Sequence, residues 1–165
     1  MCESHGLDDP SIQDGALLWR RIPPWHLVFD ENVGKIRASS AAFSNLPGKH
    51  MSVIIGDEAE RQERGPEDIV KGAGRRGFSV KAFRAGLARE LQQLLVRAPT
   101  RDEPAHAEVR GKKTKRVMRA FASRSCWVLR SFDAAALNEL LKQSGLDKAT
   151  GNRIRDAFRS QAEWA

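Results

Sequence analysis

The stretch from Pro104 to Arg116 places a base, an acid and several cations at spacings that could do chemistry. On a strand, His106, Glu108 and Arg110 fall on one face, while Ala105, Ala107 and Val109 fall on the other. The small apolar set is expected to face inward, leaving the titratable set side by side on the outside. A helix is expected after Gly111, with Lys112, Lys113 and Lys115 in its first turn. Cations there oppose the helix dipole, at a cost of about 0.3–1 kcal/mol each. A bound phosphate reverses that sign, because helix-start amides and lysines then converge on one anion. Lys112, Lys115, Arg116 and Arg119 recur at spacings of three and four and share a helical face that could follow a nucleic-acid backbone. The expected anion contacts are therefore Arg110, Lys112, Lys113, Lys115, Arg116 and Arg119. The alternative is a solvated charged face. Gly111-Lys112-Lys113-Thr114 is not a P-loop, since that motif needs glycine at position 106, which is His.

A second cluster runs from Arg20-Arg21 through Pro23-Pro24-Trp25-His26 to Ser39-Ser40. Arginines beside a rigid Pro-Pro turn could clamp a phosphate in bidentate fashion. His26 could be a base or donor near neutral pH. Ser39 and Ser40 could be nucleophile, donor or turn residues. The structural alternative puts Trp25 in the core and pairs the arginines with Asp30 or Glu31. Metal chemistry has little support: Cys2 and His5 sit in a polar terminal segment with no second ligand pair, Cys126 is isolated, and His50 stands alone. No Gly-x-Ser-x-Gly elbow is present. No cofactor is expected.

The elements that must position these residues read as short strands and helices. Strands are expected at Ala16 to Trp19, His26 to Asp30, Lys35 to Ser39, Met51 to Ile55, Phe78 to Phe83, Ala105 to Arg110 and Cys126 to Leu129, the last in the core. Asn32 and Gly34 suit the turn of a hairpin between the second and third of these. Helices are expected over Ala85 to Leu95, running into a short strand near Arg97, and over Lys113 to Ser123. Two more are expected over Ala134 to Gln143, capped by Asp133 and stopped by Gly145, and from about Lys148 to Gln161. Residues 57–76 read as a mobile charged loop with one helical turn after Pro66. The elements lack a regular βαβ rhythm, so the fold class is α+β: short mixed or antiparallel strands, interspersed helices and a C-terminal helical hairpin. The expected division is a flexible arm over 1–15, an α+β domain over 16–130 and a helical appendage over 131–165.

With 165 residues, 41% hydrophobic and 30% charged, the chain has the composition of a globular protein and excludes collagen, coiled-coil and disulfide scaffolds. No apolar run is long enough to span a bilayer. Two cysteines and a polar, acidic opening without a signal-peptide pattern point to a reducing cytoplasm. The net charge of +7 is unevenly spread. Residues 1–70 hold 7 basic and 12 acidic side chains, residues 71–130 hold 16 and 4, and residues 131–165 hold 5 of each. Either the basic middle attracts a polyanion, or the acidic front folds against it.

Leu18-Trp19-Arg20-Arg21-Ile22-Pro23-Pro24, Ser39-Ser40-Ala41-Ala42-Phe43, Met51-Ser52-Val53, Pro104-Ala105-His106-Ala107 and Gly111-Lys112 together resemble a group of small, uncharacterised bacterial proteins encoded among mobile or defence-type gene clusters. That resemblance covers about residues 17–130 and implies a bacterial, cytoplasmic setting and a conflict or stress role. A looser one is to the ADP-ribosyltransferase class, one branch of which uses a first-strand arginine, a Ser-x-Ser element and a closing glutamate. Arg20 or Arg21 and Ser39-Ser40 echo the first two parts, no Glu-x-Glu follows, and the chain has no tyrosine for the other branch.

Three readings follow. The leading one is a binder of nucleic acid or another phosphate-bearing ligand acting through the basic central segment. The second is a nucleotide-using transferase built on Arg20, Arg21, His26, Ser39, Ser40 and His106. The third is a protein-interaction module that docks a partner through residues 131–165.

Overall fold

The computed structural model describes residues 7–72, 74–142 and 147–162. Six strands form one sheet in the order β6-β7-β4-β1-β5-β8. They are β1 (Leu17–Ile22), β4 (Met51–Ile55), β5 (Ser79–Arg84), β6 (Leu94–Arg97), β7 (His106–Arg110) and β8 (Cys126–Leu129). Every neighbouring pair is antiparallel. A separate hairpin joins β2 (Leu27–Asp30) to β3 (Lys35–Ala38), with Gly34 at φ 66° in its turn. The helices are α1 (Gly56–Arg61), α2 (Pro66–Ile69), α3 (Ala85–Glu90), α4 (Lys115–Arg124), α5 (Ala134–Lys142) and α6 (Lys148–Ala162). The class is α+β, with a wholly antiparallel sheet.

Period-two alternation sorts the strands onto two faces. Leu18 and Ile22 of β1, Met51, Val53 and Ile55 of β4, and Ala107 and Val109 of β7 enter the main core, with Val117 and Phe121 of α4. Phe43, Phe83 and Phe121 meet at its centre, with ring centroids 4.7–6.4 Å apart. Trp19, Ile54, Val80 and Ala82 point the other way, onto a smaller core closed by Ala59 of α1, Ile69 of α2 and Ala105.

The structure differs from expectation in several places. Only the first six residues of the expected flexible arm lie outside the described residues, and the rest is tied down. Asp8 accepts from the Leu95 amide at 2.9 Å, the Asp9 amide donates to the Leu95 carbonyl at 2.8 Å, and Ile12 is buried in the main core. Within the loop expected over 57–76 the turn after Pro66 is present as α2, but α1 is unexpected, and its one buried side chain, Ala59, is too little to show a period. Gly56 opens α1 rather than merely stopping β4. A Cβ there would lie 2.5 Å from the Trp19 indole nitrogen, so only glycine admits this approach.

The described residues of the expected appendage, 131–142 and 147–162, pack into the main core instead of standing apart from it. Ala136, Leu140, Ile154, Ala157 and Phe158 belong to the main core, and the Gln161 amide bonds both the N–H and the C=O of Ile36. The expected stop at Gly145 lies outside the described residues. Strand β8 is an edge strand with Cys126 and Val128 exposed, not a core strand. Trp25 is 51% exposed rather than buried, and stands edge-on to Phe78 at 5.5 Å.

Candidate functional site

Strands β1 and β4 pair only through Leu18–Ile55 and Trp19–Ile54, and then separate. Arg20 fills the gap. Its Nε donates to the Ala42 carbonyl of the 3-10 turn Ser40–Phe43 at 2.9 Å and its Nη1 to the Ser52 carbonyl of β4 at 2.8 Å, so one side chain satisfies a turn oxygen and a strand oxygen together. Lys81 lies opposite Arg20 on β5, donates to the Ala122 carbonyl at 3.1 Å and stands 4.9 Å from the Trp127 ring centroid. Lys113 turns inward and gives its three protons to Gln93 Oε1 and to the carbonyls of Val109 and Gly111, at 2.7–3.0 Å. Gly111 permits that turn at φ 148°, where a Cβ would also come within 2.5 Å of the Gln93 amide oxygen.

Burial is the largest influence on the titration of every member of this group, and neighbouring cations add to it at Arg20, Lys113 and His26. Desolvation lowers Arg20 to about 10, with Arg21 adding repulsion. Desolvation likewise brings Lys113 to about 8, with Arg20 as the second cause. Lys81 is lowered by burial, and His26 by burial and then by Arg20. The Nδ1 of His26 is buried without a hydrogen-bond partner, as is Asn45 Oδ1, whose Nδ2 donates to the Gly111 carbonyl at 3.1 Å.

The opposite face of the sheet carries a different arrangement. His106 Nδ1 lies 2.7 Å from the Ala98 carbonyl, an oxygen that can only accept, so Nδ1 carries the ring proton. Nε2 is thereby left to accept from the Ser52 hydroxyl, 2.6 Å away. Arg21 donates Nε to the Ile69 carbonyl at 2.5 Å, and Arg75 donates to the same oxygen at 3.4 Å. Burial, then Arg75, lowers Arg21 to about 10. Arg64 grips the buried Glu103 through both nitrogens at 2.5 and 2.6 Å, and Arg110 pairs with Glu108 at 2.8 Å.

The residues singled out from sequence therefore do not form one pocket. Arg20 and His26 share the main-core side, whereas Arg21 and His106 belong to the other. The arginines bond backbone carbonyls instead of Asp30 or Glu31, and Asp30 pairs with Arg37 at 3.6 Å. Ser39 caps the 3-10 turn Ser40–Phe43 by accepting from the Ala41 amide at 3.2 Å, and its own amide donates to the His26 carbonyl at 2.7 Å. Ser40 opens that turn half-buried. Arg20 reaches the same turn through Ala42, so the arginine and serine elements meet by backbone contacts.

Of the six expected anion contacts, four are exposed: Lys112, Lys115, Arg116 and Arg119. None of the four forms an ion pair among the described residues. Arg110 and Lys113 depart from expectation, the first neutralised by Glu108 and the second spent on carbonyls. Helix α4 starts two residues later than expected because Thr114 caps it, accepting from the Val117 amide at 3.2 Å. A groove of about 370 Å³ runs beside this start, lined by Gln92, Lys112, Thr114, Arg116 and, at its far side, Glu90.

Sequence reasoning missed Ser52, Lys81 and Glu103 as site residues. Ser52 left one signal, as the single polar residue in the apolar run Met51 to Ile55. Among the described residues no group of His, Cys, Asp and Glu could hold a metal ion, and no helix is long and apolar enough to cross a membrane. Cys2 and His5 lie outside the described residues. No protein-family model, curated protein or solved structure matches the chain.

Proposed function

We propose that the protein binds a phosphate-bearing polyanion, nucleic acid foremost, across Lys112, Lys115, Arg116 and Arg119. One observation carries this reading: four exposed cations within eight residues have no carboxylate partner among the described residues. Other cations of the basic segment do have one, as at Arg89, Arg97, Arg110 and Arg124. Unpaired cations at a helix start oppose the dipole, and a phosphate over that start removes the conflict. A row of four suits the repeated charge of a backbone better than one nucleotide. The resemblance noted above adds a bacterial, cytoplasmic setting and a conflict role.

Salt dependence tests the reading. Four neutralised phosphates give a log–log slope of about −3.6 on duplex DNA, or roughly 100-fold weaker binding between about 50 and 200 mM salt. The measurement is fluorescence anisotropy with labelled duplex DNA and single-stranded RNA. Replacing all four side chains with Gln should abolish that slope. Absence of binding, or a slope unchanged in the variant, overturns the reading.

A further inference from the structure

We propose that Ser52 is a nucleophile activated by His106, and that this pair acts on phosphate esters at the sheet face opposite the main core. The inference is independent of the α4 surface.

The pair has the geometry the chemistry needs. Both residues sit on adjacent antiparallel strands, where Ser52 is registered with Glu108 and Ile54 with His106. The hydroxyl and Nε2 are 2.6 Å apart, within the range for proton transfer from nucleophile to base. The Ala98 carbonyl fixes the tautomer in which Nε2 is free to take that proton. Arg20 holds the Ser52 carbonyl from behind, so the nucleophile stands on pinned backbone. Ser52, His106, Glu108 and Arg110 are all partly exposed rather than sealed in the core.

Charge selects the substrate class. Beyond the Trp19–Ile54 pair, where β1 and β4 separate, Arg21 of β1 and Ser52 of β4 lie on the same face of the sheet, on either side of the gap. Around Arg21 are Arg64 and Arg75, with Glu103 as the acid, and Glu103 is already gripped at both oxygens by Arg64. Glu108, beside Ser52, is held by Arg110. Arginine is thus in excess, and guanidinium matches phosphate oxygens in geometry and charge, which a neutral ester would leave unused.

In the step itself the Oγ–P bond forms as the bond from phosphorus to the leaving oxygen breaks. The Ser52 proton passes to His106 Nε2 and then to that leaving oxygen. Water completes the cycle: His106 takes one of its protons, the water oxygen attacks phosphorus, and Ser52 Oγ departs with the proton from His106.

The test is covalent trapping of the full-length chain by a fluorophosphonate, which forms an Oγ–P bond and expels fluoride, read by intact mass and peptide mapping. A single adduct on Ser52 is expected. Ser52→Ala should abolish it, His106→Gln should slow labelling roughly 100-fold, and p-nitrophenyl phosphate should protect the native chain but protect Arg21→Met less. Should His106→Gln unfold by circular dichroism, labelling and protection of the native chain still decide. No adduct, an adduct on another serine, labelling of a folded His106→Gln at the native rate, or no protection by p-nitrophenyl phosphate each overturns the proposal.

Discussion

Two groups of cations at opposite ends of the central sheet, Arg89 and Arg97 at one and Arg20 and Lys113 at the other, are partnered in opposite ways. Where β4 and β6 finish, carboxylates meet the cations: Arg97 pairs with Asp9 and Glu58, and Arg89 of the neighbouring α3 with Asp8 and Asp14. Where β1 and β7 finish, Arg20 and Lys113 are met by carbonyl oxygens. A carboxylate cancels a cation, whereas a carbonyl satisfies its hydrogen bonds and leaves the charge in place. The acidic excess of the front half is thus partly consumed at one end. An asymmetry along the chain becomes an asymmetry in how its cations are partnered.

The largest effect expected from breaking this contrast is at Arg20. Arg20→Met leaves the carbonyls of Ala42 and Ser52 without their donors, at a cost of about 3 kcal/mol measured by urea unfolding. Arg20→Lys should recover less than half, because an ammonium cannot span both oxygens in the plane of a guanidinium. Arg89→Met, at the carboxylate end, should cost only about 1 kcal/mol, and less in high salt, because partly exposed ion pairs are screened. Equal losses at the two positions would dissolve the contrast.

Titration distinguishes the ends next. Lys113 has a folded pKa of about 8 against 10.5 when unfolded, so between these values the unfolded chain holds a proton that the folded chain lacks. Stability should therefore climb as pH rises from about 8 to 10.5, and Lys113→Met should flatten the climb to the parts contributed by Lys81 and, near pH 10, by Arg20 and Arg21, whose pKa values are lowered in the same direction. His26 repeats the logic on the acid side. Its pKa is held below 6.5, so stability should decline as pH falls below 6.5, and His26→Phe should remove that decline. The carboxyls of Asp9 and Asp68 are lowered from 3.8, so their losses begin at more acidic pH and are separable. Denaturant midpoints across pH read all of these.

What the sequence could show follows the range of the forces involved. Local alternation placed Ala107 and Val109 inside and His106, Glu108 and Arg110 on the other face, as the structure has them. The β-branched run of Val53, Ile54 and Ile55 marked β4 without help from context. Contacts spanning the chain left no such trace. Ser52 meets His106 across 54 positions and Arg20 meets Ser52 across 32, because the sheet order interleaves distant strands. Lys113 looked like its neighbours until the backbone at Gly111 turned it inward. Trp25 and Trp19 are chemically identical, and only tertiary packing distinguishes them: Trp19 joins the smaller core with Ile54, Ala59 and Ile69, whereas Trp25 stays half exposed.

The smallest structural effect carries the sharpest functional reading. Lys115 is exposed and makes no ion pair among the described residues, so Lys115→Gln should change stability by less than about 0.5 kcal/mol. Relief of the unfavourable charge near the helix start makes a small gain the expected sign. On the polyanion, the same change should shallow the log–log salt slope by about 0.9, the share of one released counterion. Arg124→Gln is the matched control, because Arg124 lies at the other end of α4 and already pairs with Glu90 at 2.9 Å. It should leave the slope unchanged. If both variants shift the slope equally, the helix acts only through net charge and the start of α4 has no special place; if Lys115 alone does so, the unpaired cations are the contact surface.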